Sequence, residues 1–317
     1  MKGVARFAAR HVQELVLAGI AASLALGVVL QWGAIETFDW RLSWFPFLGA
    51  VMLFSLGPLS GGISFWFILR DLAPTARFRA SIWVWERSFA ARYIPSGALT
   101  VAVRVVERER LGASRAQMLS ATAYEHLVAV AAAAAVSLAA FASAGRKPPL
   151  IAIVVLIGVL VIAVSAQPVV RWWERRRQVS EQLPESVLLR SPVLGAATLL
   201  GVCSWLVAGL AAWIFVSSVA AGPTPAFAYL LGAYTFAWLI GFVVPFAPSG
   251  LGVREATLIA LLAPVVGGAA ATALTVGLRL ANVAGDFLAI GAVEAAHWFS
   301  SNRCGSGRTT HIAPETP

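Results

Sequence analysis

The stretch from Pro192 to Ala220, PVLGAATLLGVCSWLVAGLAAWIFVSSVA, carries no charged residue from end to end. A helix needs about 20 mostly apolar residues to cross about 30 Å of hydrocarbon. This run is long enough, and Gly222-Pro223-Thr224-Pro225 closes it with a tight connection. The same ruler, moved outward, finds further spans. Toward the C-terminus it gives a sixth at about Ala226 to Val244. A seventh then turns at Pro264 and Gly267-Gly268 into a longer eighth. Toward the N-terminus the spans fall at about Leu15 to Trp32, Trp44 to Leu69, Ala116 to Ala142 and Leu150 to Ala166. The first has the basic start and apolar core of a signal peptide, but the spans behind it make it an uncleaved first pass. The tail from Ser301 to Pro317 is polar and is expected to be disordered.

Composition agrees with a lipid solvent. Of 317 residues 59% are hydrophobic and 12% charged, against about 25% charged in soluble domains. No hydrophilic block is long enough to be a separate soluble enzyme domain. The formal charge of +9 sits in short loops beside apolar runs, so an anionic membrane surface is the expected partner and nucleic acid is not. Cys203 lies in a span and Cys304 in the tail, so no disulfide framework is expected. Lys and Arg before span one, after spans two and four and after span eight place both termini in the cytoplasm of a cell-membrane protein. Arg146 and Lys147 run against the count.

Pro-Ser-Gly occurs twice, at Pro95-Ser96-Gly97 and at Pro248-Ser249-Gly250, and each copy opens a short apolar stretch containing an arginine, Arg104 or Arg254. Each follows two spans of its own half and precedes two more. The fold expected is therefore an all-α polytopic bundle of about eight spans in two four-span halves, residues 1–170 and 171–300. Each half would have one re-entrant or broken half-helix. Ser caps a helix well, and the free N–H groups and positive dipole end attract an anion, phosphate above all. The plainer alternative is a turn at the membrane surface. Before the first copy, Phe78, Ile82, Trp85, Phe89 and Tyr93 recur every three or four residues, with Arg79, Glu86 and Arg87 between them. That pattern reads as an amphipathic interfacial helix with its arginines on head groups.

Charges inside spans are costly and tend to face a cavity or a partner. Glu125 and His126 lie in the third span, Arg254 and Glu255 follow the second Pro-Ser-Gly, and Arg279, Asn282 and Asp286 share one helix face at i, i+3 and i+7. The arginines are expected to meet a lipid phosphate, with Glu125, Glu255 or Asp286 balancing them when the site is empty. The competing reading is that they pair only to fix packing. No Gly-x-x-x-x-Gly-Lys-Ser/Thr run, Asp-x-Asp pair or His/Cys cluster is available, so no nucleotide, metal or other cofactor and no catalytic residue is expected.

From Arg92-Tyr93-Ile94-Pro95-Ser96-Gly97 through Arg104, at Tyr124-Glu125-His126-Leu127, and above all at Ala247-Pro248-Ser249-Gly250-Leu251-Gly252-Val253-Arg254-Glu255, the chain resembles the transmembrane, flippase-like region of the lysylphosphatidylglycerol synthases. The likeness runs from about Leu15 to His297 and looks like a standalone member lacking the soluble aminoacyl-transferase domain. Ser96 and Ser249 stand where the family commonly has glycine. The resemblance implies a bundle with re-entrant helices that moves aminoacylated or otherwise modified phospholipids between leaflets. The head-group residues expected are Arg92, Tyr93, Ser96, Gly97, Arg104, Glu125, Ser249, Gly250, Gly252, Arg254, Glu255, Arg279, Asn282 and Asp286. The alternatives are a membrane-embedded transferase or accessory subunit acting on a polyprenyl-phosphate-linked sugar, and a small-solute transporter. The protein partners expected are a second copy of the chain or a separate lipid-modifying enzyme.

Overall fold

The apolar runs fold as helices whose ends follow local chemistry. In a computed structural model, residues 29, 32–93, 97–147, 149–158, 189–220, 222, 224–243 and 252–305 are described. In chain order the helices are α1 (Trp32–Glu36), α2 (Trp44–Leu72), α3 (Phe78–Ala90), α4 (Gly97–Val106), α5 (Arg115–Ser143), α6 (Ser191–Val219), α7 (Phe227–Val243), α8 (Val253–Val266) and α9 (Gly268–Gly305). Residues 150–158 are also helical. Four helices, α2, α5, α6 and α9, are long and apolar enough to cross a membrane, and α7 is a shorter apolar helix. No strand forms among the described residues. One isolated bridge joins Trp40 to Ala220 and ties the connector before α2 to the end of α6.

The uncharged run that fixes the fold class is α6. Pro192 stands in its first turn, where a missing N–H is harmless. Ser114 caps α5 by accepting from the Gln117 N–H, and the Gln117 side chain reaches back to the Ser114 N–H. The same Gln117 amide donates to the Leu72 carbonyl at the end of α2 at 2.6 Å. Asp71 accepts from the backbone N–H and the guanidinium of Arg190, so the end of α2 is also tied to the start of α6.

α6 and α9 both lie along α2, α5 packs on α6 and α7, and α8 fills the angle between α7 and α9. One apolar core joins Phe54, Phe215, Tyr234, Leu262 and Leu278 from five helices. A second gathers Phe65 and Leu72 of α2, Trp83 and Trp85 of α3, and Met118 of α5. α9 comes so close to α2 that a Cβ on Gly285 would stand 2.9 Å from backbone atoms of Phe54 and Ser55. Large apolar side chains such as Phe45, Leu199 and Leu206 cover the outside, as lipid contact requires.

The structure corrects three expectations. The seventh span is not a full crossing: α8 has 14 residues, about 21 Å of helix against about 30 Å of hydrocarbon. It ends at Gly267, whose φ of +86° a side chain would resist. Second, Glu86 does not lie with the arginines on the outer face of α3. The helix packs against α2, α4 and α9, and although Arg79 and Arg87 are exposed, Glu86 is buried. Third, Ser301 to Gly305 continue α9. Span one before Val29, residues 159–166 of span four and residues 171–188 of the following loop fall outside the described residues.

Candidate functional site

Among the described residues, three arginine–carboxylate pairs lie inside the bundle, and each includes a carboxylate expected to balance an arginine. The first is Arg104 of α4 with Glu125 of α5. The Arg104 side chain is only 2% exposed. Its Nε donates to Ser88 Oγ at 2.8 Å and its Nη1 to Thr122 Oγ1 at 3.3 Å. Its guanidinium lies 4.7 Å from the centre of the Phe65 ring. Glu125 also accepts from Trp85 Nε1 at 2.7 Å. Four helices thus meet at one buried charge pair. A buried pair of this kind is retained where every remaining donor is satisfied.

The second pair is Arg92, in the short 3₁₀ turn Ala91–Tyr93 that follows α3, with Asp286 of α9. The Arg92 side chain is 28% exposed while Asp286 is 2%. The guanidinium also stacks on Phe89, 3.6 Å from its ring centre, a favourable place for a planar cation. Of the three paired arginines, Arg92 is the most exposed.

The third pair, Arg279 Nε to Glu255 Oε1 at 3.7 Å, joins α9 to the first turn of α8. Glu255 Oε2 accepts from the Gly252 N–H at 2.7 Å. Gly252 has φ +81°, which suits glycine and lets the chain turn into α8. Arg254 lies 4.9 Å from the Tyr234 ring centre. Asn282 is partly exposed on α9. Gly97 begins α4, and Tyr93 ends the 3₁₀ turn. Ser96, Ser249 and Gly250 lie outside the described residues, so neither proposed serine cap has a described geometry.

The pairs are linked by α3 and α9. Trp85 and Ser88 of α3 serve the Arg104 pair, and Arg92 follows directly on the same chain. Asp286 and Arg279 are seven residues apart on α9, about 10 Å along its axis. Sequence reasoning missed Trp85, Ser88, Thr122 and Phe65 as members of the site. The spacing of three between Trp85 and Ser88, and between Thr122 and Glu125, was a usable signal, because it puts each couple on one helix face. His126 has its Nδ1 2.7 Å from the Thr122 carbonyl.

Among curated proteins, none matches the chain. The family model described as the lysylphosphatidylglycerol synthase TM region matches residues 16–289. The chain therefore belongs to the lysylphosphatidylglycerol synthase TM region family, and is a multi-pass membrane protein of a family linked to lipid modification or translocation.

Proposed function

We propose that the protein moves an anionic or modified phospholipid, or a lipid-linked intermediate, between leaflets of the cell membrane, with both termini in the cytoplasm. The observation that carries this reading is the Arg92–Asp286 pair. It sets a partly exposed arginine against a buried carboxylate at the end of a short helix, inside a bundle whose outer face is apolar. Because Arg92 is partly exposed, a lipid phosphate can approach its outer side while Asp286 keeps the buried side. Acyl chains would stay in lipid while the head group crosses between helices, which avoids desolvating it in hydrocarbon.

The short helices fit that role. α4 has 10 residues and α8 has 14, so neither crosses the membrane alone, and each would act as a re-entrant half-helix with its N-terminus toward the head group. Arg254 of α8 and Arg92 would be the phosphate contacts. Arg104, held by Ser88, Thr122 and Glu125, would hold α4 in place.

The test is leaflet exchange of fluorescent phosphatidylglycerol in liposomes holding the purified protein. Wild type is expected to exceed empty liposomes, and Arg92→Ala and Arg254→Ala each to lose about tenfold, the effect of about 1.4 kcal/mol of head-group interaction. If wild type moves phosphatidylglycerol, aminoacylated phosphatidylglycerol and polyprenyl phosphates no faster than empty liposomes, the translocase reading fails. A bound lipid-modifying enzyme would then be sought.

A further inference from the structure

Between Arg70 and Arg115 the chain carries nine arginines and four acids, and their surroundings divide them. Arg92 and Arg104 meet Asp286 and Glu125 inside the bundle, while Arg108 and Arg110 meet Glu109 and Glu107 in the turn after α4. Arg70, Arg77, Arg79, Arg87 and Arg115 are exposed, and none of them has a carboxylate partner among the described residues. Of these, Arg70, Arg77 and Arg79 stand where α2 gives way to α3. One indole organises that corner. The Arg70 guanidinium lies 5.3 Å from the centre of the Trp66 ring, and the Phe67 and Phe78 rings lie 4.9 and 5.0 Å from it. Trp66 Nε1 donates to the Ala76 carbonyl at 3.3 Å, and Arg77 and Arg79 flank Phe78 in the chain. The connector is pinned on its other side, where Thr75 Oγ1 donates to the Gly112 carbonyl at 3.4 Å. Asp71, the acid next to Arg70, offers no balance: its side chain is 2% exposed and both oxygens accept from Arg190.

Phe67 and Phe78 are 41% and 46% exposed, so the corner shows two apolar rings beside three cations that no acid matches. Water suits only the cations. α2 is long and apolar enough to cross a membrane, and the corner is its end on the side that the loop charges assign to the cytoplasm. At that depth aromatic rings reach the acyl boundary while arginines extend into the head groups. Like charges held together repel, and Arg77 and Arg79 also stand at the positive end of the α3 dipole with no acid in its first turn. A lipid phosphate relieves both. We propose that Trp66, Phe67, Arg70, Arg77, Phe78 and Arg79 form a surface site for one acidic phospholipid of the cytoplasmic leaflet. Its phosphate lies among the three arginines and its chains run along Phe67 and Phe78. This lipid is a resident of the surface and not cargo. The site shares no residue with the Arg92 and Arg254 contacts and does not depend on translocation. Through it, one leaflet holds the start of α3, the helix that carries Trp85 and Ser88 to the Arg104 pair.

The test is photo-crosslinking of the full chain in nanodiscs. Phosphatidylglycerol bearing a diazirine near its glycerol is compared with a phosphatidylcholine probe of the same design, and the labelled peptides are mapped by mass spectrometry. Each arginine near an acidic head group contributes about fivefold. In wild type, phosphatidylglycerol should therefore label residues 66–79 about tenfold or more above phosphatidylcholine at equal mole fraction. Arg77→Gln/Arg79→Gln should lower that ratio about tenfold or more, whereas Arg108→Gln/Arg110→Gln should lower it about twofold at most. The second variant removes the same charge from positions that already have carboxylate partners, so it separates a built site from the general charge of this side. Should the first variant not fold, Arg70→Gln takes its place, with a fall of about fivefold. Because the arginines are exposed, raising sodium chloride from about 0.1 to about 1 M should shrink the wild-type ratio toward one. Equal labelling by the two lipids in wild type overturns the proposal and leaves the corner to an acidic protein partner. Equal loss in the two double variants, or a ratio indifferent to salt, overturns it as well. A protein that moves no lipid defeats the translocase reading alone, since this labelling needs no movement between leaflets.

Discussion

Removing one member of the Arg104–Glu125 pair should cost more than removing both. Breaking a buried pair leaves an uncompensated charge and typically costs about 3–5 kcal/mol. Arg104→Met or Glu125→Leu alone should therefore lower the thermal midpoint in detergent well below that of the double variant. Equal loss in all three would mean the pair carries no buried charge. Glu86 makes the opposite prediction, as a pH dependence. Its native pKa of about 8 lies above the ordinary 4.5, so between those values the folded protein keeps a proton that the unfolded chain has lost. Stability should then fall as pH rises through that window and level off above it, and in Glu86→Gln this component should vanish from melts taken across the range. At this scale the sequence was informative about which charges would be inside. Arg104, Glu125 and Asp286 stood out because charge in an apolar run is costly. Glu86 did not, because it stands in an arginine-rich stretch whose periodicity suits a surface helix, and only the packing of α2 and α9 on both sides puts it inside.

Some helix boundaries carry a local mark in the sequence, although Pro58 and Pro264 stand inside helices and mark none. Ser114 and Gln117 mark α5, and Pro192 marks α6. The position of α8 was not legible, because an apolar run of its length fits a buried helix or part of a span equally well, and only the turn at Gly267 separates it from α9. Ser114→Ala should lose about 1 kcal/mol through its cap, read as a lower melting midpoint. Gly285→Val should do worse. The added Cβ meets the backbone of α2 rather than a movable side chain, and overpacking of this kind costs about 1–3 kcal/mol. Because Asp286 is the next residue, the same variant should also loosen the Arg92 contact and weaken anion binding. A melt and a phosphatidylglycerol exchange assay on one preparation would show both effects.

For the whole molecule, the prediction concerns which solvent meets the outer face. Cys203 is exposed near the middle of α6. In a Cys304→Ser background, a membrane-permeant apolar thiol reagent should label it in liposomes, while a charged impermeant maleimide should not until detergent is added. Labelling by the charged reagent in intact liposomes would put water, not lipid, against α6. The membrane class was legible from composition and from one uncharged run, since no soluble fold tolerates that much outward apolar surface. The meeting of chain-distant charges was not legible, because periodicity reports faces of single helices and says nothing of which faces meet. That distance bears on biosynthesis. Arg104 meets its counter-charge 21 residues further on, and the two can enter the bilayer together. Arg92 waits 194 residues for Asp286, so a nascent chain must hold this arginine without that carboxylate until α9 emerges from the ribosome. A protein stalled before that span would be an incomplete bundle with bare charge in it, the kind of intermediate that quality-control proteases recognise.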